Sequence, residues 1–556
     1  MPGRVAVVGG GSSGIAGTKV LADAGFTDIV CFERRNVVGG LWYFMEKPAT
    51  WADESCVNRS TVINTSKEFM AFSDYPMPEH YPNFCHNHMV EEYFLDYTKH
   101  FGVEKYIRFN SEVLLVKKHS TFDSTGRWEI KWLDHKTGQE NTEVFDFVLI
   151  ANGHHGAPNL PKFPGLENFK GKTMHSKEFK DATAYIGKRC GVVGIGNSGG
   201  DITSELSKYC QVFLSTRRGV WVMNRLAPNG LPWDYFFHNR FFWWLSNLIP
   251  EKIRGNNVKS SPLDHELYRL KSLTGPDSTH PTVNDELPNR IACGMVKVKP
   301  NIRQFTETGV VFEDGTMEDN IDLVVFATGY NIGYSFMEKG LLGDTSDNRL
   351  KLYKRMWIPD LPHQTLAFLG AIQPLGAIFP ISELQARLAA QVFKGEVRLP
   401  SPKQMKQDLA KHDAKVRKRY VPTQRHTFQV DWLPFMDELA SLAGCKPNLA
   451  WVLLTDPVLF LSLAFGPGTP YQYRLYGPNS WPGARNAQLT VMDRIQKPFQ
   501  TRPLPKADHG NNRSWLPTIG AVTLLASVAF YGVQYAQARD IKIWDWDLLQ
   551  TISFKK

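Results

Sequence analysis

The chain has 556 residues, of which 42% are hydrophobic and 21% charged, an ordinary globular composition with room for three or more domain-sized units. Its formal net charge of +9 at pH 7 is modest, and nothing beyond that charge favours nucleic-acid binding. The seven cysteines are odd in number and show no CxxC spacing, so neither a disulfide framework nor a zinc site is predicted. Met1-Pro2-Gly3-Arg4 runs straight into the first strand, which leaves no room for a signal peptide.

A glycine-rich turn follows the first apolar strand. Val5 to Val8 predict a buried parallel strand, and the next residues predict a tight turn and a helix start whose free N–H groups attract a pyrophosphate. The residues of this first turn are Gly9, Gly10, Gly11, Ser12, Ser13 and Gly14. Glu33 ends the second strand about twenty residues later, where a carboxylate accepts a hydrogen bond from a ribose hydroxyl. The first turn therefore favours a ligand with an unphosphorylated ribose, either FAD or NAD.

A second turn of the same kind follows another apolar strand. Its residues are Gly194, Gly196, Ser198, Gly199, Gly200 and Asp201. The strand after it ends in Thr216 and Arg217 instead of an acid. Arginine matches phosphate geometry, whereas a carboxylate would repel it, so this turn favours the 2′-phosphate of NADPH. One glycine pattern is a weak signal, but two copies with complementary acid and base choices predict two dinucleotides, a flavin and a nicotinamide.

Two apolar strands that end in small-residue turns, within 145–153 and 321–330, predict where the chain passes between the two nucleotide units. Between them lies the second nucleotide domain, and the aromatic, proline-rich segment that interrupts it from about 217 to 296 is too long for a loop and predicts an inserted subdomain. The predicted divisions are an FAD domain over 1–154 and 331–445, an NADPH domain over 155–216 and 296–330, an inserted subdomain over 217–295, a substrate-tunnel or membrane-proximal region over 446–512, an anchor helix over 513–539 and a tail over 540–556.

The segment 514–538 has no charged residue and is long enough for a membrane helix of roughly 20 residues. Its threonines and glutamines leave a buried core helix as the alternative. Two further stretches, 235–245 with its aromatics and 451–465 with its apolar residues, suit a membrane interface, a substrate tunnel or the core equally well. The basic segment 403–425 fits a solvated helix face better than an anionic membrane surface.

Residues 169–179 read FKGKTMHSKEF and fit the FxGxxxHxxx(Y/F) signature of the class B flavin monooxygenases, just before the second turn. With Phe326-Ala327-Thr328-Gly329-Tyr330 and the apolar C-terminus, the chain resembles the vertebrate-type, microsomal flavin-containing monooxygenases over roughly residues 4–502. It departs from them after about residue 538, where a longer tail continues.

The resemblance implies an α/β fold in which two Rossmann-like domains, one for FAD and one for NADPH, carry an inserted helical subdomain and a C-terminal membrane-associated helix. It implies that NADPH reduces FAD, that the reduced flavin and O2 form a C4a-(hydro)peroxyflavin, and that this species oxygenates a small molecule. Asn64 would be the catalytic residue, since its amide donates and accepts hydrogen bonds at once. His175 would be a structural linker histidine. The further cofactor contacts would be Gly40, Leu41, Trp42, Asn64, Thr65, Arg225 and Gln373.

Two oxygenations stay open within the resemblance: Baeyer-Villiger oxidation of a ketone, which it favours, and N- or S-oxidation of an amine or sulfide. Alternatives are an NADPH oxidase that releases hydrogen peroxide, a non-enzymatic nucleotide sensor, and a flavin disulfide reductase, which needs a cysteine pair near the flavin. The resemblance places the protein on the endoplasmic reticulum membrane, with its catalytic body facing the cytosol and in contact with lipids. It is compatible with a homodimer.

Overall fold

The computed structural model describes residues 3–46, 56–227, 229–248, 263–345, 348–421 and 427–503. Within these residues two parallel sheets, each covered by helices, carry smaller sheets at their margins. The predicted α/β fold with two Rossmann-type sheets is confirmed. The predicted anchor helix over 513–539 and the tail over 540–556 lie outside the described residues.

The first sheet is built around the strand that leads into the first glycine turn. Its parallel strands lie in the order Leu366–Phe368, Phe147–Ile150, Val5–Val8, Ile29–Phe32 and Ile107–Arg108. Val5 is in register with Ile29 on one side and Phe147 on the other. The central strand is buried over its whole length, which explains its unbroken apolar sequence.

The second sheet repeats this plan around the strand that leads into the second turn. Its parallel strands lie in the order Val296–Lys299, Gln211–Ser215, Arg189–Val193, Leu323–Phe326 and Lys172–His175. In both sheets the strand before the glycine turn is central and has the strand that follows the turn helix beside it. Ligands of such sheets bind at the carboxyl ends of these strands.

Helices cover both sheets. Ser12–Asp23 follows the first turn and packs against Phe379–Phe393, and Asn197–Leu206 follows the second turn and packs against Leu287–Ala292. The other described α-helices are Lys67–Met70, Asn87–His100, Phe122–Thr125, Asp234–Phe237, Arg240–Leu248, Pro402–Arg419, Trp432–Leu442, Leu449–Thr455, Pro457–Phe465, Ala484–Leu489 and Val491–Gln496. Short 3-10 helices are Gly40–Trp42, Glu104–Tyr106, Leu166–Asn168, Thr183–Tyr185, Pro276–Ser278, Pro470–Arg474 and Lys497–Phe499.

Small sheets extend the two nucleotide units. Two antiparallel sheets have three strands each: Ser111–Lys118, Trp128–Asp134 and Glu140–Phe145 in one, and Ile302–Phe305, Val310–Phe312 and Met317–Glu318 in the other. Three pairs of short strands are Val222–Met223 with Thr282–Val283, Ala157–Pro158 with Tyr330–Asn331, and Gln373–Leu375 with Gln429–Asp431.

The largest apolar core joins the first sheet to the C-terminal half of the described chain. Val5 and Val7 belong to the same buried cluster as Trp432, Tyr471 and Tyr473. The second sheet packs in smaller clusters of its own. The first nucleotide unit is therefore fused to the C-terminal half, whereas the second is stabilised more independently.

The chain passes between the two sheets at the antiparallel pair formed by Ala157–Pro158 and Tyr330–Asn331. His175 lies at this crossing: its Nε2 is 3.0 Å from the Gly329 carbonyl oxygen, and its ring packs against Tyr330. Burial lowers the pKa of His175, so the ring is neutral at physiological pH. These positions fit a linker histidine, while the domain boundaries stay predictions.

The inserted segment packs on the C-terminal region. Helix Arg240–Leu248 lies against helix Pro457–Phe465, and the Phe241 and Phe465 rings are 5.2 Å apart. Among the described residues, no helix is both long and apolar enough to cross a bilayer.

Candidate functional site

A single cavity of about 1410 Å³ runs between the two glycine turns. Pockets for one small ligand are typically about 300–1,000 Å³, so this volume has room for more than one. The predicted site residues that line it are Gly9, Gly11, Ser12, Ser13, Glu33, Gly40, Leu41, Trp42, Asn64, Thr65, Ser198, Asp201, Arg225 and Gln373. The predicted site residues outside its lining are Gly10, Gly14, Gly194, Gly196, Gly199, Gly200, Thr216 and Arg217.

The first turn brings a helix start to the cavity. Gly9 has φ of +104°, and a Cβ at position 14 would lie only 1.7 Å from the Gly9 carbonyl oxygen, so both positions require glycine. Helix Ser12–Asp23 has no side-chain cap and no acid in its first turn. Its free N–H groups and positive helix end therefore suit an anion such as a pyrophosphate.

Glu33 lies at the end of its strand beside the first turn. Its carboxylate accepts hydrogen bonds from the Gly10 N–H at 2.7 Å and the Arg35 N–H at 2.8 Å. Burial raises the pKa of Glu33, and these two bonds act in the opposite direction. Gly10 thus lies outside the cavity lining, and its N–H holds the Glu33 carboxylate, which the sequence predicts to bind a ribose.

A second glycine pair closes over the first turn. Gly39 donates its N–H to the Gly10 carbonyl at 3.2 Å, and Gly40, at φ of +54°, sits against Gly11. The 3-10 helix Gly40–Trp42 then brings Leu41 and Trp42 to the cavity.

The second turn has the same close approach. Gly194 has φ of +101°, and a Cβ at position 199 would lie 2.1 Å from the Gly194 carbonyl oxygen. The helix Asn197–Leu206 again lacks a side-chain cap and a first-turn acid. The glycines lie behind the cavity lining and set the backbone, while Ser198 and Asp201 reach the cavity.

Asp201 is an ionisable group at the second turn. Burial raises its pKa to about 6, against a hydrogen bond at 2.9 Å from the Asn284 amide. Sequence reasoning missed Asn284, because a contact across 83 residues leaves no local signal.

Thr216 and Arg217 follow the strand Gln211–Ser215 outside the cavity lining. The Thr216 hydroxyl accepts the Gly219 N–H at 3.1 Å and so closes the local turn, and the Arg217 side chain is exposed. Their role in binding a 2′-phosphate stays a prediction.

Asn64 and Arg225 meet in the cavity wall. Arg225 Nη2 donates to Asn64 Oδ1 at 2.7 Å, its Nε donates to the Ile63 carbonyl at 3.1 Å, and its Nη1 pairs with Asp285 at 2.6 Å. The resemblance makes Arg225 a further candidate ligand of the 2′-phosphate, and in that role it would have to leave these partners. Because arginine can only donate, the Asn64 oxygen faces it, and the amide N–H donors are the part left for a ligand.

The chain that carries these two turns matches a known protein family over most of its length. A sequence model described as Flavin-binding monooxygenase-like matches residues 2–532. The chain belongs to the flavin-containing monooxygenases. It is 46% identical over 541 residues to flavin-containing monooxygenase 5 of Cavia porcellus, an alignment that covers 96% of this chain and 99% of that protein.

The chain is also similar to a second curated monooxygenase and to a solved structure. The chain is 44% identical over 536 residues to the N-oxide-forming dimethylaniline monooxygenase 2 of Mus musculus, covering 95% of this chain and 99% of that protein. Cyclohexanone monooxygenase from Rhodococcus sp. Phi1 bound to NADP+ superposes with a TM-score of 0.57 at 16% identity, covering 80% of this chain and 97% of that one. This last likeness establishes a shared fold.

Aromatic side chains of the inserted segment form another wall of the monooxygenase cavity. Trp233, Phe237, Phe242 and Trp243 line it, with His238 beside them. The sequence signal was the aromatic run 235–245, whose composition fits a membrane interface, a tunnel or a core alike. The cavity lining includes no described residue of 446–503, so a tunnel role for that region stays a prediction.

The flavin side is completed by the strand Gln373–Leu375, which pairs with Gln429–Asp431. Gln373 lines the cavity, and the following Gly376 has φ of +141° against the Trp432 ring. His154 also lines the cavity, and burial lowers its pKa to about 4, so it is neutral. It was not among the predicted site residues.

These residues fit a flavin dinucleotide. The first turn supplies an uncapped helix start and a glycine cradle that a Cβ would fill, and Glu33 beside it supplies the carboxylate that the sequence predicts for a ribose contact. The protein is therefore a flavin-dependent oxidoreductase, as its family requires.

Proposed function

We propose that this monooxygenase uses NADPH and O2 to insert one oxygen atom into small organic molecules, with FAD at the first turn and NADPH at the second. The observation that carries the proposal is that one cavity is lined by both helix starts and by Asn64. Two dinucleotides bound at these turns would meet in the same space.

The flavin, when bound, supplies the reduction of dioxygen and the transfer of its oxygen. The chain's own residues bind and orient. The two uncapped helix starts would hold the pyrophosphates, and Glu33 would accept a hydrogen bond from a ribose hydroxyl. Asn64 would present its amide N–H donors, and the aromatic side chains in the cavity wall, such as Phe237 and Trp243, would keep water out.

The preference for NADPH over NADH rests on the second strand end. Thr216 and Arg217 stand where the first unit has Glu33, and they carry no negative charge to repel a 2′-phosphate. The fold neighbour from Rhodococcus was crystallised with NADP+, which supports the same assignment.

Ketones are the first substrate class that we propose, oxidised to esters by the Baeyer-Villiger route. The support is the sequence resemblance and a fold neighbour named for cyclohexanone. Amines and sulfides are the second class, since a relative at 44% identity is named for forming N-oxides. Uncoupled release of hydrogen peroxide is the competing outcome.

A disulfide reductase has less support. Cys31 and Cys56 are the cysteines nearest in sequence to the first turn and to the glycine pair Gly39 and Gly40, and both are free thiols. Cys31 Sγ lies 3.6 Å from the Gly9 carbonyl oxygen, whereas Cys56 contacts the Lys180 ammonium at 2.8 Å. The two thiols thus have different partners and form no redox pair.

We also propose attachment to the endoplasmic reticulum membrane, with the catalytic body in the cytosol. Helix Arg240–Leu248 exposes Trp244, and helix Leu449–Thr455 exposes Trp451 and Leu454, the last with 80% of its surface accessible. Tryptophan and leucine of this kind suit a lipid interface. Sedimentation with lipid vesicles before and after deletion of 513–556 tests the attachment, and a homodimer stays a prediction.

The experiment is turnover of 2-heptanone and thioanisole by purified protein under oxygen-18 gas with NADPH or NADH. We expect labelled ester or sulfoxide with NADPH. Hydrogen peroxide alone from both probes would reduce the activity to that of an oxidase, and equal rates with NADH would refute the coenzyme assignment.

Two variants of Asn64 sharpen the test. Asn64→Ala should lose oxygen transfer and release peroxide. Asn64→Asp keeps an oxygen for Arg225 but lacks the amide donors, so it should fail in the same way if those donors are what the cofactors use. A nucleotide sensor would keep its ligand response in both variants.

A further inference from the structure

The loop that carries Asn64 is held by two charged residues of the inserted segment. Arg225 binds the Ile63 carbonyl and the Asn64 side-chain oxygen. Asp234 binds the other end: its Oδ2 accepts the Ser66 N–H at 2.6 Å and its Oδ1 accepts the Ser66 hydroxyl at 3.0 Å. These contacts join parts of the chain that lie 161 to 168 residues apart.

The far side of the loop is fixed by the first nucleotide unit. Ser66 precedes helix Lys67–Met70, and Lys67 is completely buried with its ammonium on the carbonyls of Glu79 and Tyr81, each at 2.7 Å. On the near side, the Ile63 N–H donates to the Cys85 carbonyl at 3.0 Å. Asn64 therefore sits between two anchored points, with the inserted segment acting on the residues in between.

We propose that Asp234 is a positioning residue for the monooxygenase reaction: by holding Ser66 while Arg225 holds the Asn64 oxygen, it fixes the Asn64 amide toward the cofactors. The inference rests on the proposed function of Asn64. It assigns the inserted segment a part in oxygen transfer itself, beyond lining a path for substrate.

The charge state of Asp234 supports this role. Burial raises its pKa to about 6, while the two bonds from Ser66 favour the ionised form. At pH 7 to 8 the group is therefore a carboxylate, which can accept both Ser66 bonds at once. A site of this kind loses its effect when the amide shifts by about an ångström, since oxygen transfer depends on alignment.

The same short helix joins this contact to the cavity wall. Asp234 begins helix Asp234–Phe237, and Phe237 at its end lines the cavity. A molecule packed on Phe237 thus contacts the same helix that holds the Asn64 loop through Asp234 and Ser66.

The test compares Asp234→Ala, Asp234→Asn and Ser66→Ala in the flavin-loaded protein. Hydrogen exchange of the backbone amides of 64–67 gives a readout that is independent of turnover. We expect exchange at Ser66 to rise about tenfold or more in Asp234→Ala, since a hydrogen bond to a charged group is lost. Product formed per NADPH oxidised should fall by a similar factor, with peroxide rising, while flavin content and the KM for NADPH change less than about twofold.

The conservative variants separate positioning from folding. Asparagine at 234 offers an oxygen to the Ser66 N–H and an amide donor to its hydroxyl, so Asp234→Asn should recover coupling to within about threefold of wild type. Ser66→Ala keeps the backbone bond and should lie between the two. If Asp234→Ala does not fold, this pair carries the test.

Unchanged exchange and coupling in Asp234→Ala would overturn the inference, and so would equal loss of flavin in all three variants. A wild-type protein that oxygenates neither 2-heptanone nor thioanisole would instead refute the proposed function, while the exchange data still report on the contact between Asp234 and Ser66.

Discussion

The two nucleotide units share a backbone and differ in their surroundings. In both, a central parallel strand ends in a glycine with φ near +100°, and a later glycine approaches its carbonyl so closely that a Cβ would lie 1.7 Å away in the first unit and 2.1 Å in the second. Both turn helices start without a cap or an acid. The shared part would select what the two proposed dinucleotides have in common, a pyrophosphate.

The difference lies in what surrounds each turn. The first unit carries buried Glu33 beside its turn and shares a core with the C-terminal half of the described chain. In the second unit the exposed Arg217 follows the corresponding strand, and the core is separate and smaller. A cofactor that stays bound suits the first environment, and a reductant that must enter and leave suits the second.

The largest expected effects come from the turn glycines themselves. Gly14→Ala should abolish flavin binding or folding, because its Cβ meets a backbone carbonyl that cannot move aside. Gly199→Ala should give a yellow protein that no longer reduces its flavin with NADPH. Flavin absorbance per protein and anaerobic flavin reduction measure the two losses separately.

Gly191→Ala is the matched control, since its Cβ would meet its nearest atom at an ordinary 3.4 Å in the strand before the second turn. It should keep both flavin and reduction. If Gly199→Ala loses its flavin as completely as Gly14→Ala, the units do not act separately and the comparison fails.

Breaking the buried ion pairs of the first unit should have an effect nearly as large as that of the glycine substitutions. Arg474 is 2% exposed and pairs with Glu383 and, at 2.9 Å, with Asp74. Arg474→Met leaves two carboxylates without this partner, at an expected cost of about 3–5 kcal/mol in unfolding free energy. Lys170→Met breaks an exposed pair with Glu307 in the second unit and should leave the melting temperature unchanged. The melting temperatures of both variants test this prediction, and equal shifts of melting temperature would contradict the contrast between the units.

Coenzyme choice should respond to one arginine of the second unit. Arg217→Ala should raise the KM for NADPH by about 10- to 100-fold, the effect of losing a charged hydrogen bond to phosphate, and leave the KM for NADH unchanged. Arg218→Ala, its exposed neighbour, is the control and should change little. An unchanged KM for NADPH in Arg217→Ala would indicate that other residues, Arg225 included, bind the 2′-phosphate.

The parts of this fold that the sequence predicts are those with a local cause. Gly9 and Gly194 are predicted because only glycine adopts their φ at low cost, and the apolar strands before them because both faces are buried. Glu33 is predicted from its spacing to the first turn, and Asp201 from its place in the second turn. The two Rossmann-type sheets follow from these local signals.

The unpredicted parts depend on contacts between distant residues. The hold of Asp234 on Ser66 and the partners of Arg225 leave no mark on local sequence. The aromatic run 235–245 shows why composition is insufficient: Phe237 faces the cavity while Trp244 is 59% exposed. Only the packing of the inserted segment determines which of these aromatic side chains line the cavity and which lie on the protein surface.

The smallest effect concerns pH and the acid of the second turn. Burial raises the pKa of Asp201 to about 6, so the folded protein binds this proton more tightly than the unfolded chain does. The group therefore lowers stability as pH rises from about 4 through 6, and its full cost is present at pH 7 to 8. Asp201→Asn, which keeps an oxygen for Asn284, should raise the unfolding free energy by about 1–2 kcal/mol at pH 7.5 without NADPH and by much less near pH 4.

Asp314→Asn provides a control of opposite sign within the second unit. The Thr316 hydroxyl and N–H lower the pKa of this exposed carboxyl, so its small contribution is stabilising above its ordinary pKa and is lost as pH falls. Melting temperatures of both variants from pH 4 to 8 should therefore diverge from wild type in opposite directions at neutral pH. If Asp201→Asn melts below wild type at pH 7.5, the carboxylate is stabilised by its surroundings, and the second turn resembles the first more closely than its sequence implies.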